Sequence, residues 1–206
     1  MPLMLGLFMA VACQSETHAV FSPVPSPSPH AAPTDAILQS GDVPAGLNVC
    51  LGSGPIDVYL SVLAGADPTL ASHESDQWLQ LRNQGAIEGA ISVFTANPSV
   101  CKVELAATIN VKAMTSLVAE FADEGQADRA WQSGVLGFVP PPPGQLAPGL
   151  ARGTSTGLGI SSFTYDRPSV RLACWRRSVF VALVVVSNLD LNTFHAATAA
   201  IDPRLN

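Results

Sequence analysis

Between Val103 and Phe121 this 206-residue chain alternates apolar and polar positions for longer than anywhere else, and that pattern restricts its fold more than any other. Odd positions read Val103, Leu105, Ala107, Ile109, Val111, Ala113, Thr115, Leu117, Ala119 and Phe121. Lys102, Glu104, Thr108, Asn110, Lys112, Ser116 and Glu120 hold even ones. Successive side chains of a strand point to opposite faces. A period of two kept for this long therefore predicts one bent strand, or two short ones, with one face on a core.

Other segments fit around that strand. Ala86 to Phe94 sets Ile87, Gly89, Ile91 and Val93 against Glu88, Ala90 and Ser92, the pattern of a half-buried strand. A helical turn over Asp35–Leu38 is followed by the breakers Gly41, Pro44 and Gly46, and a first strand is expected at Leu47, Val49 and Leu51. Ser53 to Ser75 is rich in turn residues. Asp76 to Asn83, with Trp78 and Leu81 three apart, reads as a short helix stopped by Gly85. Asp123 with Gln126 has the spacing of a capping box, opening a helix with the stripe Ala127, Ala130 and Trp131 that Gly134 ends.

Val135 to Arg152, with four prolines in a row from Pro140, reads as a long surface loop, either a lid or a crossover. Gly157–Tyr165 and Val170–Trp175 read as strands, with Arg176, Arg177 and Ser178 as a turn. Val179–Val186 is an unbroken, β-branched apolar run whose place is the middle of the sheet, covered on both sides. Asn192 is positioned to cap a last helix with the stripe Phe194, Ala197 and Ile201 before Pro203. This order implies an α+β domain, a mostly antiparallel sheet with helices packed on one face. Val111–Ser133 and Val179–Ala200 each run from strand to helix, which raises an internal duplication.

The chain begins with an uncharged apolar run from Leu3 to Ala12, about half the ~20 residues a membrane-spanning helix needs, the length of a signal-peptide core. Ala10, Val11 and Ala12 then precede Cys13. This resembles a bacterial lipoprotein signal. The resemblance implies that residues 1–12 are removed and that Cys13, lipidated on its sulfur by a diacylglyceryl group with fatty acyl chains such as palmitate, anchors the protein to the membrane. A conventional secretory signal cut near Ala12, giving a secreted protein, is the alternative. Residues 13–34, with Pro23, Pro25, Pro27, Pro29 and Pro33, cannot build a core. Extended at roughly 3 Å per residue, they would form a tether of up to about 60 Å.

Residues 35–206 suffice for a single domain. A net charge of −6 with ten Lys plus Arg, clustered only at Arg176–Arg177, excludes a nucleic-acid partner. Gly85 with Ala86-Ile87-Glu88-Gly89, then Phe121, Asp123 and Ala127, then Arg176-Arg177 and the closing Ile201-Asp202-Pro203-Arg204-Leu205, together resemble small extracytoplasmic domains of bacterial lipoproteins. That likeness implies an extracytoplasmic location and this architecture, and it supplies no functional residues.

Beyond Cys13, three thiols remain. Cys50 with Cys101 would close a loop of about fifty residues, worth roughly 4 kcal/mol by chain entropy; Cys101 with Cys174 is the alternative. No Cys-x-x-Cys occurs, so neither a redox centre nor a zinc knuckle is expected. His73 beside Glu74 and Asp76 reads as a solvated helix start, and His195 as a polar-face residue. Gly153 to Gly159 lacks the following helix and lysine of a phosphate loop, and Ser161 and Ser162 lack a hydrolase elbow. Trp175, Arg176 and Arg177 form a possible binding surface in an exposed hairpin turn.

The expectation is a non-enzymatic, lipid-anchored cell-surface protein with a binding or sensing role and no metal or cofactor. A ligand-binding role predicts an apolar cleft between sheet and helices, edged by residues 135–152, and a partner-binding role predicts an exposed apolar patch. The rival is an extracytoplasmic hydrolase using His73 or His195.

Overall fold

The computed structural model describes residues 31–144 and 147–205. The signal over 1–12, Cys13 and most of the tether lie outside the described residues. Among those described, the strands are β1 (Asn48–Val49), β2 (Gly54–Pro55), β3 (Ala86–Thr95), β4 (Ala113–Phe121), β5 (Leu150–Arg152), β6 (Ser162–Asp166), β7 (Val170–Arg177) and β8 (Phe180–Ser187). They form one antiparallel sheet in the order β1-β3-β4-β8-β7-β6-β5, with β2 also pairing with β3. The α+β class and the antiparallel sheet are those the sequence predicts. β8 lies at the centre with every residue buried, because its apolar run has no polar face to offer solvent.

Five α-helices flank the sheet among the described residues: α1 (Pro33–Ala36), α2 (Ile56–Ala66), α3 (Pro68–Asn83), α4 (Glu124–Ser133) and α5 (Leu191–Ile201). On one face, α2, α3 and α4 cover Ile91, Leu117, Leu172, Val181 and Leu183. The other face also carries apolar residues, among them Phe94, Met114, Val118, Ala182 and Val184. These need cover of their own, so α1, α5 and the 3-10 turn Asp202–Leu205 pack there, and helices occupy both faces. Pro33 opens α1 and is buried, so the folded part reaches into the proline-rich run.

The long alternation divides. Only Ala113–Phe121 is a strand, while Glu104–Ala106 is a 3-10 turn in which Leu105 and Ala106 take φ of +49° and +50°. Leu105 is buried but Val103 and Ile109 face solvent, so apolar alternation there does not track burial. In β3 a bulge between Ala86 and Glu88 flips the side-chain parity and leaves Ile87 51% exposed. Ala86 thereby reaches the same core as Ile91.

Most of Ser53–Ser75 is helical, in α2 and the start of α3, not a succession of turns. Pro55 and Pro68 sit where a helix start tolerates them, and the Asp67 side chain caps α3 by accepting the Leu70 N–H at 3.1 Å. Residues 150–152 leave the predicted loop to form the edge strand β5. Because β5 lies at the far edge, the preceding segment is a crossover from α4. Strand β7 runs through Arg176 and Arg177, and the hairpin turns at Ser178, φ +50°. Asp190, not Asn192, caps α5 by accepting the Thr193 N–H at 2.8 Å. The two strand-to-helix units put α4 and α5 on opposite faces, so they are not a repeat.

Candidate functional site

An apolar groove of about 270 Å³ opens at the β1 edge of the sheet. Its construction begins at Cys50, whose N–H donates to Val93 O at 2.7 Å and extends the short pairing of β1 with β3. The chain then turns at Gly52, φ +88°, where a Cβ would stand 2.9 Å from Val62 Cβ, so only glycine brings this turn against α2. Ser53 Oγ accepts the Val93 N–H at 3.1 Å and holds the turn to the sheet.

From the other side, the 3-10 turn Pro98–Lys102 is capped by Asn97, which accepts the Ser99 N–H at 3.0 Å. The disulfide Cys50–Cys101 joins the two segments and floors the groove. Val62, Leu63 and Ala66 of α2, with the Tyr59 ring, make one wall; Val49 and Leu51, 55% and 83% exposed, stand at the mouth with Lys102.

Behind Tyr59 lies a buried carboxyl. Glu74 of α3 is only 6% exposed, and its Oε1 has no hydrogen-bond partner among the described residues. Burial, with the Glu104 charge nearby, pushes it up to about 7, against the opposing effect of the Leu105 N–H. Burial and the proximity of Glu74 likewise raise the Tyr59 phenol. The Leu105 turn above Glu74 is pinned by Thr115 Oγ1, which donates to Leu105 O at 2.7 Å.

His73, expected at a helix start, lies within α3; its partners are Gln77 and Glu104, the latter at 3.5 Å. Glu74 beside it is buried, not solvated, because α3 begins at Pro68 and turns this residue inward. His195 is exposed on α5. Gly153–Thr156 forms a 3-10 turn that leads to β6 and not to a helix. Ser162 Oγ donates to Gly153 O at 3.1 Å, a structural role.

Trp175, Arg176 and Arg177 do not share a surface, since neighbouring strand residues point to opposite faces. Trp175 is fully buried and donates Nε1–H to Asp202 Oδ1 at 3.0 Å. Arg177 binds the same carboxylate, its Nε 3.1 Å from Oδ1, while Arg176 turns to α4 and pairs with Asp128 at 3.3 Å. Cys174 is free and buried, and burial raises its thiol.

None of the described residues of 135–152 lines the groove, and β5, which ends that segment, is the edge strand farthest from β1. Tyr59 and Val62 escape a reading that sees only turns before Asp76, and Lys102 one that sees only the polar side of an alternating strand. Ile56, Tyr59, Leu60 and Leu63, at positions i, i+3, i+4 and i+7, carry the helical signal that reveals that wall.

Among the described residues, no three His, Cys, Asp or Glu side chains gather as a metal-binding set, and no helix is long and apolar enough to cross a membrane. No protein-family model, curated protein or solved structure matches the chain. The groove is thus assigned on its own geometry. Its lining offers apolar area and few polar anchors, which suits binding a small ligand.

Proposed function

We propose that this chain is a non-enzymatic binding protein of the cell surface, anchored through a lipid on Cys13, and that the groove beside β1 is its ligand site. The observation that carries the reading is the apolar groove itself, floored by the Cys50–Cys101 bridge and walled by α2. Two features support the placement. A structural disulfide persists in oxidising compartments, and residues 3–13 have the order of a lipoprotein signal.

Intact mass of the membrane-extracted protein tests the anchor. A diacylated amino-terminal Cys13 is expected; a full-length unmodified chain in the cytosol overturns it. Titration with the neutral fluorophore 1-aminoanthracene tests the groove. Saturable binding to the native chain, abolished by Ala66→Trp, is expected. Equal binding to both chains, or none to either, removes the groove as the site.

A further inference from the structure

We infer that the ligand of this groove is an anionic amphiphile of the fatty-acid type, its tail against the disulfide and its carboxylate at Lys102; this rests on the groove being the binding site. The argument is one of charge and shape. Val49, Leu51, Val62 and Leu63 present hydrocarbon, and the Tyr59 ring and Cys50–Cys101 bridge close the bottom without a charge. No Asp or Glu lines the groove, and Lys102 is its single charged lining residue.

That ammonium has no ion pair or hydrogen bond among the described residues, whereas Arg171, Arg176, Arg177 and Arg204 are each held by a carboxylate. The chain as a whole carries −6, so overall charge draws no anion to it and the attraction must be local. A cationic amphiphile would set like charge against Lys102. A neutral one would gain nothing from the ammonium, which is exposed to water. The volume of about 270 Å³ admits roughly nine methylene-sized groups if each takes about 30 Å³, the share of a water molecule. Medium-chain tails therefore fit, with the head at the open, solvated end.

Calorimetric titration of the full chain carrying Cys13→Ser, which needs no detergent, tests the inference. The probes are decanoate and decyltrimethylammonium below their micellar concentrations, and decanol below its solubility limit. Decanoate should bind up to about fivefold tighter than decanol, the most that one exposed ion pair provides, and the cation weakest. Lys102→Glu should cancel or reverse that order. Ala66→Trp, at an exposed position closing α2, should abolish binding of all three, with Leu51→Asp at the mouth as a second groove variant.

Equal affinity for decanoate and decanol, unchanged by Lys102→Glu, overturns the anionic ligand and leaves the groove as an apolar site. Decanoate binding that survives both groove variants in folded protein puts the site elsewhere and overturns the inference. Absence of binding by all three probes, together with failure of the fluorophore, removes the groove reading itself.

Discussion

The two faces of the sheet are closed by different chemistry. On the face under α2, α3 and α4, a covalent bridge ties Cys50 to Cys101. Several buried polar atoms there lack hydrogen-bond partners among the described residues: Glu74 Oε1 and the indole nitrogens of Trp78 and Trp131. On the face under α1 and α5 the buried indole of Trp175 is satisfied by Asp202, which also holds Arg177. Arg204 clamps Asp42 with two bonds of 2.8 Å and donates to Ile37 O at 3.0 Å. A face whose buried indole and carboxylates are held in this way has less to offer a ligand. The incompletely matched face carries the groove, in keeping with functional surfaces being drawn from the less stable parts of a fold. The disulfide holds the two segments of that face together.

The largest expected effect breaks the first face. Replacing Cys50 and Cys101 together by serine should cost about 4 kcal/mol, the chain-entropy value for a separation of 51 residues. Urea unfolding measures the loss, and amide exchange locates it. Exchange should accelerate in α2 and in Pro98–Lys102 more than in α5; uniform acceleration would show that the faces are not separately held.

Next in size is Glu74. Its pKa lies above the unfolded value of 4.5, at about 7, so the folded chain holds the proton more tightly. The stabilising contribution is complete below pH 4.5 and is lost as pH rises through about 7, a span of about 3 kcal/mol. Glu74→Gln should flatten this dependence and raise stability at pH 8. A pH profile that Glu74→Gln leaves unchanged would show that another group titrates there.

How far the sequence shows this difference depends on the element. β8 is legible because the run Val179–Val186, eight apolar residues of which five are valine, fits one place in an antiparallel sheet, its centre. The stripe of α4 and that of α5 are legible for the same reason: Ala127, Ala130 and Trp131, and Phe194, Ala197 and Ile201, recur at helical spacing and are all buried. The groove wall is not, because Pro55, Gly65 and Pro68 punctuate α2 and α3 as a loop would, and a proline ends a helix or begins one with the same letter. Nor is the left-handed pair Leu105–Ala106. No glycine marks it, and the turn exists only because Leu105 is drawn into the core while Thr115 holds its carbonyl. Glu74 reads as a surface acid until α3 is known to start at Pro68.

On the second face the chief expected effect comes from Asp202→Ala. It leaves the Trp175 Nε1–H buried without an acceptor and releases Arg177, a loss of about 2 kcal/mol at neutral pH. Thermal unfolding should register it, with ligand titration at the groove unchanged. A groove affinity that falls with Asp202→Ala would join the two faces into one cooperative unit and remove the contrast drawn between them.

The smallest expected effect sharpens the contrast by its sign. Arg204's hydrogen bonds hold the Asp42 carboxyl below its ordinary range, against the opposing effect of burial and with help from the Gln39 N–H. A depressed pKa contributes stability that is present above the unfolded value of 3.8 and is lost as pH falls through the folded one. Acid therefore loosens the α1–α5 face, while rising pH loosens the α2–α3 face through Glu74. Asp42→Asn should cost about 1 kcal/mol at pH 7 and nothing at a pH below the folded value, where the native carboxyl is itself protonated. Amide exchange at a pH below the folded Asp42 value and at pH 8 reads both effects in one protein: protection around Ile37 and Leu38 should decrease on acidification, and that around Glu74 and Leu105 on alkalinisation. If both regions respond in the same direction, a single global equilibrium governs them, and the groove owes its openness to its shape alone.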